Sequence, residues 1–164
     1  MMDELKWSRD ERPGALSLML WSLAIWIVAM AQVGLFHRIP VFGAPVEITL
    51  AAVLFLSWRR GAVVGCVSGL VGGFTLDALC EVGLVLCPLI FVGAAALAAF
   101  LSKRLFDHPL TYFGALLPAY LVLGVFRSVQ EGSVRYFFAM LLGAYLASAV
   151  LYLPVFLRRM KRRR

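Results

Sequence analysis

The residue types that usually carry enzyme chemistry are scarce in this sequence and stand far apart. The histidines are His37 and His108, and the cysteines are Cys66, Cys80 and Cys87. The sequence contains no HExxH, GxSxG, P-loop or CxxC motif, so no metalloprotease, nucleophile elbow or nucleotide-binding loop is indicated. We therefore predict that the protein is not an enzyme and uses no metal or cofactor.

The cysteines have two interpretations. Cys66 lies in the middle of an apolar run, where a thiol packs as a small hydrophobic side chain. Cys80 and Cys87 stand near the facing ends of two neighbouring runs. A disulfide between these two is therefore an alternative to two packed thiols.

Carboxylates at the ends of apolar runs are a stronger functional signal, because burying a charge in hydrocarbon costs several kcal/mol. Glu47, Asp77 and Glu81 are such residues, and we expect them to form an outer polar cluster. This cluster is predicted to be a polar pocket or a partner-docking surface. The alternatives are solvation at the membrane interface and pairing with arginines on the same side: Arg38, Arg127 and Arg135. For Asp77 we predict a protein partner that joins the outer ends of two helices.

Glycines recur every four residues in the middle of the chain. Gly61, Gly65, Gly69 and Gly73 form this row, and Asp77 is next in the series. Because glycine has no side chain, the row predicts a surface where another helix approaches closely. We expect that helix to belong to the same chain, with a homodimer seam as the alternative. Further predicted contact points are glycines outside the row: Gly72, Gly93, Gly114, Gly124 and Gly143.

Long apolar runs position these residues. The chain has 164 residues, of which 62% are hydrophobic and 15% charged, whereas soluble domains are usually about 45–50% apolar and about 25% charged. A bilayer core of about 30 Å requires about 20 residues of apolar helix. We predict an all-α membrane protein with six transmembrane helices: Leu16–Phe36, Pro45–Trp58, Ala62–Leu79, Gly83–Leu101, Pro109–Phe126 and Tyr136–Leu157. The predicted domains are a leader over 1–15, one transmembrane domain over 16–157, and a basic tail over 158–164.

The basic residues predict the orientation of these helices. If the N-terminus is cytoplasmic, all of the 16 lysines and arginines except Arg38, Arg127 and Arg135 fall on the cytoplasmic side, as the positive-inside rule requires. Both termini are then cytoplasmic. Residues predicted to face the headgroups of membrane lipids are Arg59, Arg60, Arg158, Arg159, Lys161, Arg162, Arg163 and Arg164. The net charge of +7 is thus explained by topology, and no nucleic-acid partner is predicted.

A set of short motifs lies in the first two thirds of the chain: Gln32-Val33-Gly34-Leu35-Phe36, Phe42-Gly43-Ala44-Pro45-Val46-Glu47, Arg60-Gly61, Gly65 to Gly69, Gly72 to Asp77, and Val82-Gly83-Leu84. The set resembles the rod shape-determining protein MreD family, which is similar in size and number of spans. That family also has an Arg-Gly hairpin and a glycine-rich third span ending in Asp. It commonly has Asp directly after the proline, whereas Pro45-Val46-Glu47 inserts one residue. The last two spans match only in hydropathy.

The resemblance implies a non-enzymatic component of the bacterial cell-elongation machinery, located in the inner membrane. Its implied partner is the bitopic protein MreC, and through it MreB filaments and the peptidoglycan synthases. The family is also thought to share a fold with the substrate-binding subunits of energy-coupling-factor vitamin transporters. Such a subunit is the rival hypothesis. It is disfavoured by short outer loops and by a first span that carries Trp21 and Trp26 but no Ala-xxx-Ala pair.

Overall fold

The computed structural model of the chain describes residues 14–34, 47–80, 86–104, 109–131 and 134–161. Within these ranges it has six α-helices: α1 (Ala15–Gly34), α2 (Ile48–Arg60), α3 (Ala62–Cys80), α4 (Leu86–Arg104), α5 (Pro109–Glu131) and α6 (Val134–Lys161). The described ranges contain no strand. The prediction of an all-α protein with six helices is therefore confirmed at the level of the helices.

The helix ends differ from the predicted boundaries. α2 begins at Ile48 rather than at Pro45, and α5 continues to Glu131, so that Arg127 lies on a helix rather than in a loop. α6 continues through Lys161, so the predicted tail is largely helical. Lysine and arginine are good helix formers, and cations in the last turn interact favourably with the helix dipole. The leader up to residue 13 and the last three arginines, Arg162, Arg163 and Arg164, lie outside the described residues.

α2 is the central helix of the bundle and the shortest of the six. It contacts α1, α3, α4 and α6. Its buried side chains occupy most of its circumference: Thr49, Leu50, Ala51, Val53, Leu54, Leu56, Ser57 and Trp58. The 13 residues of α2 extend about 20 Å, which is less than a bilayer core of about 30 Å. The other helices therefore enclose an element that is too short to span a membrane by itself.

The remaining helices pack each against the next in the order α1, α3, α4, α5 and α6. Of these, α1, α3, α4 and α6 also pack against α2, whereas α5 packs against α4 and α6. α3 is the most extensively packed of them, because it also contacts α2 along its glycine row. The described parts of α1 and α6 make at most marginal contact with one another. The ring around α2 is therefore open between α1 and α6.

The five outer helices expose large apolar side chains in rows with helical spacing. On α6 the exposed row is Phe138, Leu142, Leu146, Val150 and Leu153. On α3 it is Val63, Val67, Leu70 and Phe74. This is the reverse of a soluble bundle, in which outward faces are polar. Two helical segments in the described ranges, Ala15–Gly34 and Ala62–Leu79, are long and apolar enough to cross a membrane.

The turn between α2 and α3 is made by Gly61, which has a φ of 97°. Residues with side chains rarely adopt this conformation, so glycine is required there. The Gly61 amide donates to the Ser57 carbonyl at 2.9 Å and closes the end of α2. A Cβ added at Gly61 would meet nothing within 4 Å. The prediction that Gly61 belongs to the helix-packing row is therefore wrong, because it serves as the turn that precedes α3.

Candidate functional site

A buried polar group joins the end of α1 to the start of α2. The Gln32 side-chain amide donates from Nε2 to Glu47 Oε2 at 2.7 Å, and Gln32 Oε1 accepts from the Thr49 backbone N–H at 2.7 Å. Only one orientation of the amide satisfies both bonds, because one partner is an acceptor and the other a donor. We call Gln32, Glu47 and Thr49 the polar clamp. Its side chains are 6%, 3% and 0% exposed, respectively.

The polar clamp provides a hydrogen-bond acceptor for the N-terminus of α2. The first amides of a helix have no partner within the helix, and Glu47, at the N-cap position of α2, makes no side-chain cap hydrogen bond. Gln32 of α1 supplies that acceptor instead. The Glu47 carboxylate also lies beside the positive end of the α2 dipole, which favours a negative charge. The clamp therefore fixes α1 against α2 while it caps α2.

Asp77 lies near the end of α3, and both of its carboxylate oxygens are buried. Neither oxygen has a hydrogen-bond partner in the described part of the chain. The predicted partner of Asp77 is therefore not found there. The helix that meets this end of the glycine row is α4, and Pro88 in its first turn has no N–H to donate. Of the predicted outer polar cluster, Glu81 lies outside the described residues.

The glycine row of α3 packs against helices of the same chain, as predicted. A Cβ added at Gly73 would lie 2.6 Å from the Pro88 backbone N on α4. One added at Gly69 would lie 3.1 Å from the Phe91 carbonyl O. These distances leave no room for a side chain, so α3 and α4 approach almost backbone to backbone.

The α2 side of α3 shows the same close approach. A Cβ at Gly65 would lie 2.5 Å from Ser57 Oγ, and one at Gly72 would lie 3.0 Å from Thr49 Cγ2. Ser57 Oγ in turn donates to the Ala95 carbonyl of α4 at 2.5 Å. α2, α3 and α4 therefore meet at Ser57, where the absence of a side chain at Gly65 allows the close approach.

The other glycines divide into two groups. A Cβ at Gly124 would lie 3.0 Å from the Phe137 ring, so the predicted close contact exists there, between α5 and α6. A Cβ at Gly93 or Gly114 would meet nothing within 4 Å. The predicted contact points at Gly93 and Gly114 are therefore wrong, because both residues are exposed on the outer faces of α4 and α5.

The two arginines at the end of α2, Arg59 and Arg60, are both exposed. The Arg60 guanidinium lies 5.2 Å from the centroid of the Trp21 ring, in a cation–π contact. Trp21 is near the start of α1, so the start of α1 and the end of α2 lie together. The predicted antiparallel arrangement of these helices is consistent with this contact. The side chains of Arg158, Arg159 and Lys161 lie outside what the structure describes.

A second polar group lies between α5 and α6. Ser148 Oγ donates to the Ala144 carbonyl at 2.9 Å, which leaves the Tyr120 hydroxyl as the donor to Ser148 Oγ at 2.9 Å. Tyr120 is 1% exposed and Ser148 is 0% exposed, so this pair of hydroxyls is buried. Nothing in the sequence pattern singled out this pair, although a hydroxyl within an apolar helix generally needs a partner.

The described polar side chains chiefly join helices to one another. Their hydrogen bonds connect α1 with α2, α2 with α4, and α5 with α6. In the described ranges, no group of three or more His, Cys, Asp and Glu residues could hold a metal ion. Cys66 is a free thiol. The side chain of Cys80 lies outside what the structure describes, so a disulfide between Cys80 and Cys87 stays an alternative. His37 and His108 lie outside the described residues.

Three residues of this arrangement had no role assigned from the sequence: Gln32, Thr49 and Ser57. Each is an amide or hydroxyl within an otherwise apolar stretch. That signal predicts a hydrogen bond within the protein, but it cannot identify the partner. A comparison with models of protein families finds no match, and comparisons with curated proteins and with solved structures find none either.

Proposed function

We propose that this chain is a six-span protein of the bacterial inner membrane that acts as a scaffold in the cell-elongation machinery. In this proposal it holds a single-span partner such as MreC, and through it MreB and the peptidoglycan synthases. It has no catalytic step of its own, and both termini are cytoplasmic.

Membrane embedding is supported by the outer surface of the bundle. The rows of exposed leucine, valine and phenylalanine side chains on the outer helices would be poorly solvated in water but match lipid chains. The one helix too short to span, α2, is enclosed by the others. The distribution of lysine and arginine supports the orientation with the α2–α3 turn in the cytoplasm.

One observation carries the scaffold proposal: the motif residues that resemble the MreD family meet in one place. Gln32 and Glu47 form the polar clamp, while Gly65, Gly69 and Gly72 lie on the α3 face that meets α2, α4 and α1. In this proposal the pattern serves to pack α1, α2 and α3 into one unit. A pattern of this kind is expected in a protein whose function is to present a rigid surface.

The test is affinity purification of the tagged full chain from detergent-solubilised bacterial membranes, followed by mass spectrometry. We expect a single-span protein to be enriched, together with wall synthases. An unrelated tagged six-span protein is the control for unspecific capture. Enrichment of a coupling subunit and ATPases in place of a single-span protein would contradict the scaffold proposal.

A vitamin-binding transporter subunit is the second candidate, and one observation favours it. Buried polar atoms without a hydrogen-bond partner in the described part of the chain are Thr49 Oγ1, Ser68 Oγ and the two Asp77 carboxylate oxygens. A bound polar ligand would satisfy such atoms. The discriminating measurement is calorimetric titration of the purified chain with a panel of water-soluble vitamins. Tight one-to-one binding of a vitamin would establish that the chain is a transporter subunit. If the chain is a scaffold, we expect no binding.

A further inference from the structure

Asp77 lies at the edge between the buried and the exposed side of α3. Because successive residues of an α-helix are turned by about 100°, Gly73 is about 40° from Asp77 on one side and Phe74 about 60° on the other. Gly73 meets the backbone of α4, whereas Phe74 is 48% exposed. The rest of the exposed row of α3 is on the same side of Asp77 as Phe74. We call this row and the acid the Asp77 face: Val63, Val67, Leu70, Phe74 and Asp77.

The carboxylate of Asp77 is turned away from solvent. The residue is partly exposed, but both of its carboxylate oxygens are buried. An acid that was only solvated at the membrane interface would direct these oxygens to water or headgroups. The exposed side chain of Arg135, at the second position of α6, illustrates that solvated arrangement. Solvation at the interface therefore does not account for Asp77.

Within the described ranges, no neighbour of Asp77 donates a hydrogen bond to it. One turn below, α4 approaches with Pro88, which has no N–H. Because the Asp77 backbone is at the edge of the packed side, rotation about Cα–Cβ between staggered rotamers brings the carboxylate from the α4 side to the exposed side. A donor that approaches along the exposed row can therefore reach it.

The length of the Asp77 face distinguishes a helix from a lipid. From Val63 to Asp77 the helix rises about 21 Å. One lipid leaflet is about 15 Å deep, half of the bilayer core. A single acyl chain therefore leaves part of this face uncovered, whereas a membrane-spanning helix covers all of it.

Charge complementarity indicates the chemistry of the partner. Hydrocarbon neither neutralises a carboxylate nor donates to it, whereas a lysine or arginine does both. Such a cation in the outer half of a partner's span would by itself be costly to bury, and ionisable residues within membranes are generally paired with one another. Pairing with Asp77 would therefore compensate both charges.

We propose that the membrane-spanning helix of the single-span partner packs along the Asp77 face and places a lysine or arginine against the Asp77 carboxylate. This inference rests on the proposed function, from which the single-span partner is taken. It adds the helix of the bundle that forms the docking surface. It also specifies the side chain that the partner carries in the outer half of its span.

The test is site-specific photocrosslinking of the full chain in bacterial cells, with Phe74→p-benzoylphenylalanine as the probe. Phe138→p-benzoylphenylalanine is the matched control, because Phe138 is also an exposed phenylalanine, near the start of α6, and is in the same half of the membrane in the proposed topology. We expect the Phe74 probe to form an adduct with one single-span protein, and the Phe138 probe to form a much weaker one or none. Mass spectrometry of the adduct identifies the protein and the crosslinked segment, which we expect to lie within its span.

The role of the charge is tested in the Phe74 probe background. Asp77→Asn should lower the adduct more than about tenfold at equal membrane levels, since loss of one member of a buried charge pair is costly. Thr75→Val is the matched control and should retain the adduct, because the Thr75 hydroxyl donates to the Val71 carbonyl of its own helix. Asp77→Lys should abolish the adduct, and replacing the partner's basic residue by glutamate should restore it. A merely structural role of Asp77 would give no such rescue.

Several outcomes would overturn the proposal: a Phe74 adduct with only lipid or a second copy of the chain, an equal adduct at Phe138, or a crosslinked span with no basic residue in its outer half. Equal adducts from Asp77→Asn and Thr75→Val would do the same. If affinity purification recovers a single-span protein that crosslinks only at Phe138, the proposed function stands and docking on α3 is wrong. If neither measurement recovers a single-span protein, the proposed function itself is contradicted.

Discussion

At the scale of single residues, Gln32 contributes most clearly to the architecture. It donates to Glu47 and accepts from the Thr49 amide, so one side chain satisfies two buried groups on another helix. In an apolar environment no water is available to replace these hydrogen bonds, so the loss of either partner lowers the stability of the fold. Gln32 therefore connects α1 to α2 by hydrogen bonds and does not serve only to pack within an apolar helix.

Replacing Gln32 tests this role. We expect Gln32→Leu to lower the free energy of unfolding by about 1–3 kcal/mol, because a buried amide and a buried carboxylate each lose a hydrogen-bond partner. The measurement is reversible unfolding of the purified chain in mixed micelles with increasing dodecyl sulfate. Met30→Leu, at an exposed position on the same helix, should change nothing, and an equal loss in both variants would contradict the role of Gln32.

Asp77 is predicted to respond differently. Its carboxylate oxygens are buried without a hydrogen-bond partner among the described residues, so Asp77→Asn breaks no such bond and removes a charge that is costly to bury. We expect the free energy of unfolding of the Asp77→Asn variant to equal or exceed that of the unmodified chain in the same assay. A decrease of about 1 kcal/mol or more would show that the carboxylate has a partner after all. Unchanged stability with loss of a co-purifying protein would assign Asp77 to binding.

At the scale of helices, the glycine row sets how closely α3 approaches its neighbours. Gly73 faces the backbone of α4, where nothing can move aside, while Gly93 on α4 faces open space. The two glycines belong to the same pair of helices but differ in what surrounds them. They therefore provide a comparison in which only the environment of the added methyl group changes.

We expect Gly73→Ala to destabilise the protein by about 1–3 kcal/mol through overpacking. Gly93→Ala should instead be neutral or stabilise by up to about 1 kcal/mol, since alanine is the better helix former. Unfolding in mixed micelles measures both. Similar stabilities for the two variants would show that the α3–α4 contact is looser than the structure indicates.

The sequence predicts the helices and one packing face, but not the turn at Gly61 or the hydrogen bonds between helices. Apolar runs predict all six helices, and the four-residue glycine spacing predicts the packing face of α3, because both signals are local in the chain. Gly61 was assigned to that face, because spacing alone does not reveal a positive φ. The pairing of Gln32 with Thr49 could not be predicted, since it depends on how α1 and α2 meet across a connection of more than ten residues.

At the scale of the whole molecule, the helices form an open ring around α2, and their orientation in a membrane can be tested directly. Fusions of a reporter active only in the cytoplasm should be active after Arg60, Arg104 and Arg164. Fusions of a reporter active only in the periplasm should be active near Arg38, Glu81 and Glu131. The expectation follows from the distribution of lysine and arginine between the two sides. A periplasmic C-terminus would require an odd number of spans and would contradict the topology.

The shortness of α2 has a consequence for biosynthesis. A 13-residue helix that carries two arginines at its end and follows a glutamate gains little from partitioning alone into the bilayer beside the translocon. The Thr49 amide in its first turn also depends on Gln32, which is synthesised earlier in α1. We therefore expect α2 to enter the membrane together with α3, as a hairpin closed at Gly61. α1 would be retained nearby until that hairpin arrives, so insertion of the first three helices would be one cooperative event.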